Sequence, residues 1–143
     1  DAIAIQADIT KLPFKKGCLP VVLCLHTLEH IYHIDEALVE MLRVLKPDGK
    51  LIFTIPTEGG LGWTIGRKLT TKPALKKRYG LDAEELMKIE HINDASRVLR
   101  FLSWNFNVST LVYFPFNFLK FLSINASITG VAERKGPARG KNI

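Results

Sequence analysis

The stretch V-V-L-C-L-H-T-L-E-H-I at residues 21–31 decides the fold, because it joins an unbroken apolar run to a polar end. The apolar run at residues 21–25 is rich in valine and leucine, which is typical of a strand buried on both faces. Beyond Asp35 the apolar residues recur at helical spacing as far as Leu45, and the turn K-P-D-G follows. The run L-I-F-T-I at residues 51–55 predicts the next strand. Strand, helix and strand with short joins form a parallel βαβ unit.

More strands and a helix are predicted outward from this unit. The apolar run at residues 3–7 predicts a buried strand that stops at Asp8. Asp94 is placed to cap a helix that continues to about residue 103. Two further strands are predicted at residues 108–113 and 127–132. The fold class is therefore α/β, with about five strands in the sheet.

Two regions differ from the rest in composition. Residues 57–92 contain five glycines and a basic stretch at residues 67–78, and they predict a helical insertion with one short helix near residues 83–89. The tail at residues 134–143 is basic and rich in glycine and proline, so we expect it to be disordered. The domain is accordingly assigned to residues 1–133.

Composition is that of an ordinary globular chain. The 143 residues include 20 Lys or Arg and 14 Asp or Glu, which gives a formal net charge of +6, and 47% are hydrophobic. The most apolar stretch, at residues 111–124, is interrupted by polar residues, and no transmembrane helix is predicted. Cys18 and Cys24 are too few for a disulfide scaffold, so we expect reduced thiols and a cytoplasmic protein.

Three motifs resemble the class I S-adenosylmethionine-dependent methyltransferases in order and spacing. They are A-D-I-T-K-L-P-F at residues 7–14, V-V-L-C-L-H-T-L-E-H-I at residues 21–31, and A-L-x-E-x-x-R-V-L-K-P-D-G-K-L-I at residues 37–52. The subgroup that methylates small molecules and lipids, such as quinone precursors, is the most similar. The resemblance implies a Rossmann-like sheet, the cofactor S-adenosylmethionine, and methyl transfer to a small-molecule or lipid-like acceptor.

Two hallmarks of that family are missing from the sequence: the glycine-rich turn after the first strand, and the acidic residue at the end of the second strand that holds the ribose hydroxyls. No glycine-rich G-x-G-x-x-G turn is found, and Asp1 directly precedes what the resemblance makes the third strand. The chain therefore resembles the C-terminal portion of such an enzyme, a fragment with an incomplete sheet. The absent strands would lie between residues 3–7 and 21–25, so we expect these two strands to pair directly, to drive self-association through their open edges, or to be completed by the rest of a larger chain.

The resemblance also assigns cofactor-binding residues. It implies that Asp8 accepts a hydrogen bond from the adenine amino group and that Ile9 packs on the adenine ring. Leu25 and His26 lie at the carboxyl end of a predicted strand, the side on which open α/β sheets bind ligands. The family pattern implies that both border the cofactor.

His26 and His30 are the candidate catalytic residues, with His30 preferred. Methyl transfer requires an aligned acceptor and often removal of its proton, and an imidazole can take that proton at neutral pH. The competing interpretation is that each histidine is satisfied by backbone or only closes over the cofactor.

A metal site is the competing chemistry for the same region. Ligand types that zinc favours lie within sixteen residues: Cys18, Cys24, His26, His30 and His33. Their spacing matches no zinc pattern, and Cys24 belongs to a buried strand. The sequence therefore predicts no metal.

Four residues near the insertion, Glu58, Trp63, Tyr79 and His91, are candidates for lining a substrate pocket. The phenylalanine-rich segment at residues 114–121 is predicted to pack in the core, and peripheral membrane contact is the alternative. No nucleic acid partner is expected, because no recognition motif accompanies the basic residues. The alternative function is a non-catalytic interaction module that has lost cofactor binding.

Overall fold

The computed structural model describes residues 2–57, 64–65, 91–121 and 125–135. Within them four strands form one mixed sheet, in the order β1-β2-β4-β3. The predicted short helix of the insertion and all but two residues of the tail lie outside the described residues. The α/β class with an incomplete sheet is confirmed.

The elements follow the predicted order. The first half contains β1 (Leu19–Leu25), a short 3₁₀ helix (Leu28–His30), α1 (Ile34–Val44) and β2 (Leu45–Pro56). The second half contains α2 (Ala95–Asn105), β3 (Phe106–Phe114) and β4 (Ser127–Arg134). The βαβ unit, the later helix and both later strands are therefore confirmed, each within about two residues of its predicted ends except β2, which begins at Leu45 and not at residue 51.

Burial follows the sequence periodicity. In α1 the buried positions recur at helical spacing, as in Leu38 and Met41, while β2 buries alternate residues such as Leu51 and Phe53. Helix α2 begins where predicted, because Oδ1 of Asp94 accepts a hydrogen bond from the Arg97 amide at 2.7 Å. These faces meet in one core between the helices and the sheet.

The predicted turn at residues 46–49 is a bulge at the start of β2. Leu19 pairs with Leu45 and Val21 with Lys50, so four residues of β2 loop out against one residue of β1. A Cβ added to Gly49 would lie 3.0 Å from backbone atoms of Lys46, which explains why this close turn carries glycine.

Strand directions define the edge of the sheet where ligands are expected. β1 and β2 are parallel, and β4 is antiparallel to both β2 and β3, so β1, β2 and β3 all run the same way. The residues that follow them, His26, Thr57 and Pro115, therefore leave the sheet at one edge, which we call the carboxyl edge. This edge collects the ends of three strands from separate parts of the chain.

The strand predicted at residues 3–7 is wrong. These residues are exposed and belong to no ladder in the described part of the chain, so the sheet there has four strands and not five. They also do not pair directly with β1. A strand needs a hydrogen-bonded neighbour, and the described residues offer residues 3–7 none. The apolar pattern alone therefore did not decide their structure.

Because residues 3–7 do not pair with β1, the outer edge of β1 has no neighbouring strand in the described part of the chain. Val21, Leu23 and Leu25 are exposed on one face, with Leu23 at 64%, whereas Cys24 on the other face is buried. An apolar strand face of this kind is a surface that another element can cover.

The predicted core packing of residues 114–121 is also wrong. Phe114, Phe116, Phe118 and Phe121 are all exposed. The chain leaves β3 at the carboxyl edge there, beyond the sheet face that α1 and α2 cover. Both cysteines are free thiols, as expected. None of the helices in the described ranges has the length and apolar character that crossing a bilayer requires.

Candidate functional site

The carboxyl end of β1 is a sharp turn into the 3₁₀ helix. His26 has φ 48°, in the left-handed region that non-glycine residues rarely occupy. Its amide donates to the Thr54 carbonyl at 2.9 Å, which ties the turn to β2, and the Thr27 hydroxyl donates to the Leu25 carbonyl at 2.9 Å. The turn places the exposed His26 side chain at the carboxyl edge, and such backbone outliers cluster at functional sites.

Glu29 is a buried carboxylate between the two candidate histidines. Its side chain is only 2% exposed, and its Oε1 lies 3.6 Å from Nδ1 of His26 and 3.9 Å from Nε2 of His30. Its Oε2 is buried and has no hydrogen-bond partner in the part of the chain that the structure describes. The structure thus brings His26 and His30 together through an acid that the sequence interpretation left without a role.

The chain returns to this turn at residue 91, after the insertion. The amides of Ile92 and Asn93 donate to the Glu29 carbonyl at 2.9 and 3.0 Å. This return sets the His91 ring edge-on against the His30 ring, with 4.5 Å between the centroids. His91 was predicted to line a pocket, and its position beside His30 places it at the candidate site. Glu58, Trp63 and Tyr79 lie outside the described residues.

Asn93 holds the turn in place and was missed by the sequence interpretation. Its buried side chain donates to the carbonyls of Leu28 and Ile31, at 3.1 and 2.6 Å. Both carbonyls belong to the turn that carries Glu29 and His30. The available signal was a polar residue two positions after His91, which is too common a pattern to identify a role.

A metal-type donor set is assembled, but not the one weighed from the sequence. Ligand atoms of Glu29, His30 and His91 lie within 4.8 Å of one another. The cysteines take no part in it: burial raises the pKa of Cys24 to about 11, which leaves an inert thiol, and Cys18 is exposed. Imidazole and carboxylate together suit zinc and other transition metals. The same three side chains form a compact cluster of one carboxylate and two imidazole groups.

Asp8 lies in a tight turn before β1. Its Oδ1 accepts two hydrogen bonds from Thr10, from the amide and the hydroxyl, both at 2.8 Å. These bonds hold the pKa of the Asp8 carboxyl below its usual range, because they favour the charged form. Since both bonds use Oδ1, the exposed Oδ2 keeps its capacity to accept from a ligand.

An ion pair on α1 anchors the segment that follows this turn. Arg43 makes a bidentate pair with Glu40, with both nitrogen–oxygen distances at 2.7 Å. The same two side chains bind the backbone of Leu12: Glu40 accepts from its amide at 2.8 Å and Arg43 donates to its carbonyl at 3.1 Å. The segment carrying Asp8 and Ile9 is thereby fixed against the helix that follows β1.

An apolar cleft connects the two halves of the candidate site. Its volume is about 280 Å³, and its lining includes Ile9 from the Asp8 turn, Cys24 from β1 and Thr27 from the His26 turn. A second cleft of about 380 Å³ shares Ile9 with the first and continues along residues 3–7. The Asp8 turn and the His26 turn therefore border one apolar cleft beside the open edge of β1.

Comparison of the sequence with known families is consistent with this geometry. A profile described as a methyltransferase domain matches residues 2–53, which include both turns. The ubiquinone/menaquinone biosynthesis C-methyltransferase UbiE of Stutzerimonas stutzeri is 43% identical over 56 residues, and UbiE of Pseudomonas putida is 45% identical over 56 residues. Each alignment covers 37% of this chain and 22% of the relative, so the chain matches less than a quarter of these relatives' length.

Solved structures share the fold across most of the chain. The PH0226 protein of Pyrococcus horikoshii superposes with a TM-score of 0.59 at 20% identity, covering 92% of this chain and 58% of that chain. An S-adenosylmethionine-dependent methyltransferase of Mesorhizobium loti gives a TM-score of 0.56 at 16% identity, covering 90% and 67%. At these identities the likeness establishes the fold, and the resemblance stated from the sequence is confirmed.

Proposed function

We propose that this chain, which has a class I methyltransferase fold and carries a methyltransferase domain match over residues 2–53, takes part in S-adenosylmethionine-dependent methyl transfer. One observation carries the proposal. Ile9, next to Asp8, and Thr27, next to His26, both line one apolar cleft that runs along β1 from Leu19 and reaches the carboxyl end of the strand. Open α/β sheets bind their ligands at this end of their strands.

The chain's residues fit the nucleoside part of the cofactor. The Asp8 carboxylate is ionised and exposed, so Oδ2 can accept from an exocyclic amino group, and Ile9 offers an apolar surface to a planar ring. Leu25 and His26, at the carboxyl end of β1, are the residues that we expect to border the cofactor on its other side. When bound, S-adenosylmethionine supplies an electrophilic methyl group.

The histidine pair would act on the acceptor. We assign to His30, with His26 beside it, the role of holding the acceptor and taking its proton. The buried Glu29 carboxylate lies 3.6 Å from the His26 ring and 3.9 Å from the His30 ring, close enough to stabilise a positive charge on either imidazole but beyond hydrogen-bond length. His91 limits how the His30 ring can turn, because it packs edge-on against it.

The acceptor we propose is a small, lipid-like molecule related to quinone precursors. The UbiE relatives that match this part of the chain are named for ubiquinone and menaquinone biosynthesis. The clefts beside the Asp8 turn are lined mainly by apolar side chains, which suits an apolar acceptor more than a highly charged one.

Calorimetric titration of the 143-residue chain with S-adenosylhomocysteine tests the cofactor assignment. We expect saturable binding that Asp8→Ala weakens about tenfold, since one hydrogen bond to a charged acceptor is lost. Asp48→Ala is the matched control, because Asp48 is an exposed acid at the opposite end of β2. The control variant should bind as the parent chain does.

The same titration separates the enzyme from the non-catalytic alternative. Absence of saturable binding to the parent chain would favour an interaction module. Equal weakening by both aspartate variants would show that only net charge matters and would contradict the role assigned to Asp8.

A further inference from the structure

The connection between β3 and β4 displays an unusual amount of aromatic surface. Four side chains of this phenylalanine-rich loop, residues 114–121, are exposed: Phe114 at 66%, Phe116 at 42%, Phe118 at 80% and Phe121 at 61%. Scattered apolar residues are normal on a protein surface, but a contiguous aromatic patch marks an interaction site. The question is which kind of partner suits this loop.

Several backbone groups of the loop are hydrogen-bonded from within the chain. The side chain of Asn125, which is fully buried, accepts from the Phe116 amide at 2.9 Å and donates to the carbonyls of Leu119 and Phe121 at 2.6 and 3.0 Å. One buried amide side chain therefore fixes three points of the loop and turns the phenylalanine rings outward.

Three further hydrogen bonds hold the loop and its ends. Oδ1 of Asn117 accepts from the Tyr113 amide at 3.1 Å, the Leu119 amide donates to the Phe116 carbonyl at 3.0 Å, and the Ala126 amide donates to the Phe114 carbonyl at 2.7 Å. A segment that enters a lipid environment must satisfy its backbone groups internally, because no water is available there. The internal hydrogen bonds of the loop are compatible with this requirement.

The loop lies at the same edge of the sheet as the candidate site. β3 runs parallel to β1 and β2, so its carboxyl end, where the loop begins, shares the carboxyl edge with His26 and Thr57. A hydrogen bond joins the two regions, because the Thr57 hydroxyl donates to the Asn125 carbonyl. An apolar molecule held by the loop would therefore approach the sheet from the side of the candidate site.

Charge favours an anionic partner. The sequence has a formal net charge of +6, and Lys120 lies within the loop itself. Basic residues near exposed aromatic side chains attract a protein to anionic lipid, where the rings supply the apolar part of the binding energy.

We propose that the phenylalanine-rich loop docks the protein on an anionic lipid bilayer by inserting its exposed rings at the membrane interface. The proposal goes beyond methyl transfer, since lipid binding needs neither cofactor nor acceptor. If the acceptor is lipid-like, the same contact brings the candidate site to the surface where such a molecule resides.

Co-sedimentation of the 143-residue chain with vesicles tests the proposal. Vesicles of phosphatidylcholine with about one quarter phosphatidylserine should bind the chain, and pure phosphatidylcholine vesicles should bind it more weakly. Phe118→Ala should lower the partition coefficient about tenfold, and Phe116→Ala combined with Phe118→Ala about a hundredfold, because each ring removes apolar area from water. The substituted side chains are exposed, so both variants should keep the parent's circular dichroism and thermal transition.

Trp104→Ala is the matched control. Trp104 is an exposed aromatic residue, but it lies near the end of α2, from which β3 starts at the opposite edge of the sheet. This variant should bind vesicles as the parent does. A parent chain that ignores anionic vesicles, or Phe118→Ala binding that equals the parent's, would overturn the proposal. A change of oligomeric state in Phe118→Ala without any effect on lipid binding would also overturn it, and would assign the loop to a second copy of the chain.

Discussion

Gly130 in the middle of β4 provides a sharp test of the sheet order. In the register it pairs with Phe53 of β2 on one side and Leu111 of β3 on the other. A Cβ built on Gly130 would lie 2.7 Å from Cε1 of Phe53, closer still to its Cζ, and 2.9 Å from Cδ2 of Leu111. Carbon atoms prefer about 3.5–4.0 Å, so the neighbours of a new methyl group would have to retreat by about 1 Å.

The expected loss of stability depends on how tightly the core is packed around Phe53. Phe53 is fully buried, and a packed interior yields little. We therefore expect Gly130→Ala to lower the free energy of unfolding by about 1–3 kcal/mol, the usual cost of overpacking. Urea titration followed by circular dichroism measures this loss directly.

A second substitution makes the test specific. Phe53→Leu removes the atoms that a methyl group at position 130 would meet, so the two changes should couple by about 0.5–3 kcal/mol in a double-mutant cycle. An alanine at position 130 that leaves stability unchanged, or strict additivity of the two changes, would show that Phe53 and Gly130 are not neighbours and would refute the order β1-β2-β4-β3.

Three further predictions concern the cysteines, acid stability and the open strand edge. At neutral pH a thiol reagent should modify the exposed Cys18 rapidly and Cys24 only on unfolding, because Cys24 is buried and its pKa is raised to about 11. Mass spectrometry counts the adducts, and rapid labelling of both cysteines in the folded protein would contradict the burial of Cys24. Arg43 lowers the pKa of Glu40, and Thr10 lowers the pKa of Asp8. Both carboxylates therefore contribute fully to the free energy of unfolding above their unfolded-state pKa values, and this contribution is lost as the pH falls through their folded-state pKa values. Between about pH 6 and about pH 3, Asp8→Asn combined with Glu40→Gln should therefore lose less unfolding free energy than the parent chain, and an equal loss would be inconsistent with these shifts. We also expect the chain to self-associate through the open edge of β1, and Leu23→Lys to shift the protein toward the monomer. Light scattering measures the mass in solution, and a monomeric parent chain would contradict this prediction.

The elements that were predicted correctly are those whose sequence pattern lies within a few neighbouring residues. The apolar run of β1, the helical spacing of α1 and the Asp94 cap each depend on a few neighbouring residues, and all three are confirmed. Residues 3–7 carry an equally apolar pattern, yet they form no strand, because a strand also needs a partner that the pattern cannot guarantee.

The candidate site was predicted only in part, for a similar reason. The motif around residues 21–31 pointed to His26 and His30, but it assigned no role to Glu29 between them. Its burial depends on the return of the chain at Ile92 and Asn93, more than sixty residues later. Contacts at that separation leave no periodicity in the sequence.

The phenylalanine-rich loop shows the limit of composition as a guide. Apolar residues usually lie inside, so core packing was the natural prediction for residues 114–121. What reverses it is Asn125, whose buried side chain occupies the inside of the loop and leaves the rings on the outside. A single asparagine after the loop gives no warning of this.

Chemical-shift mapping with S-adenosylhomocysteine tests whether the nucleoside binds at the carboxyl edge, since it reports which backbone amides respond to the cofactor product. We expect the largest shifts in the ¹⁵N-labelled chain on Asp8, Ile9, Leu25 and His26, while the amide of Asp48 at the far end of β2 stays unchanged. Shifts confined to the amino end of β2, or none at saturating ligand, would contradict a nucleoside site at the carboxyl edge.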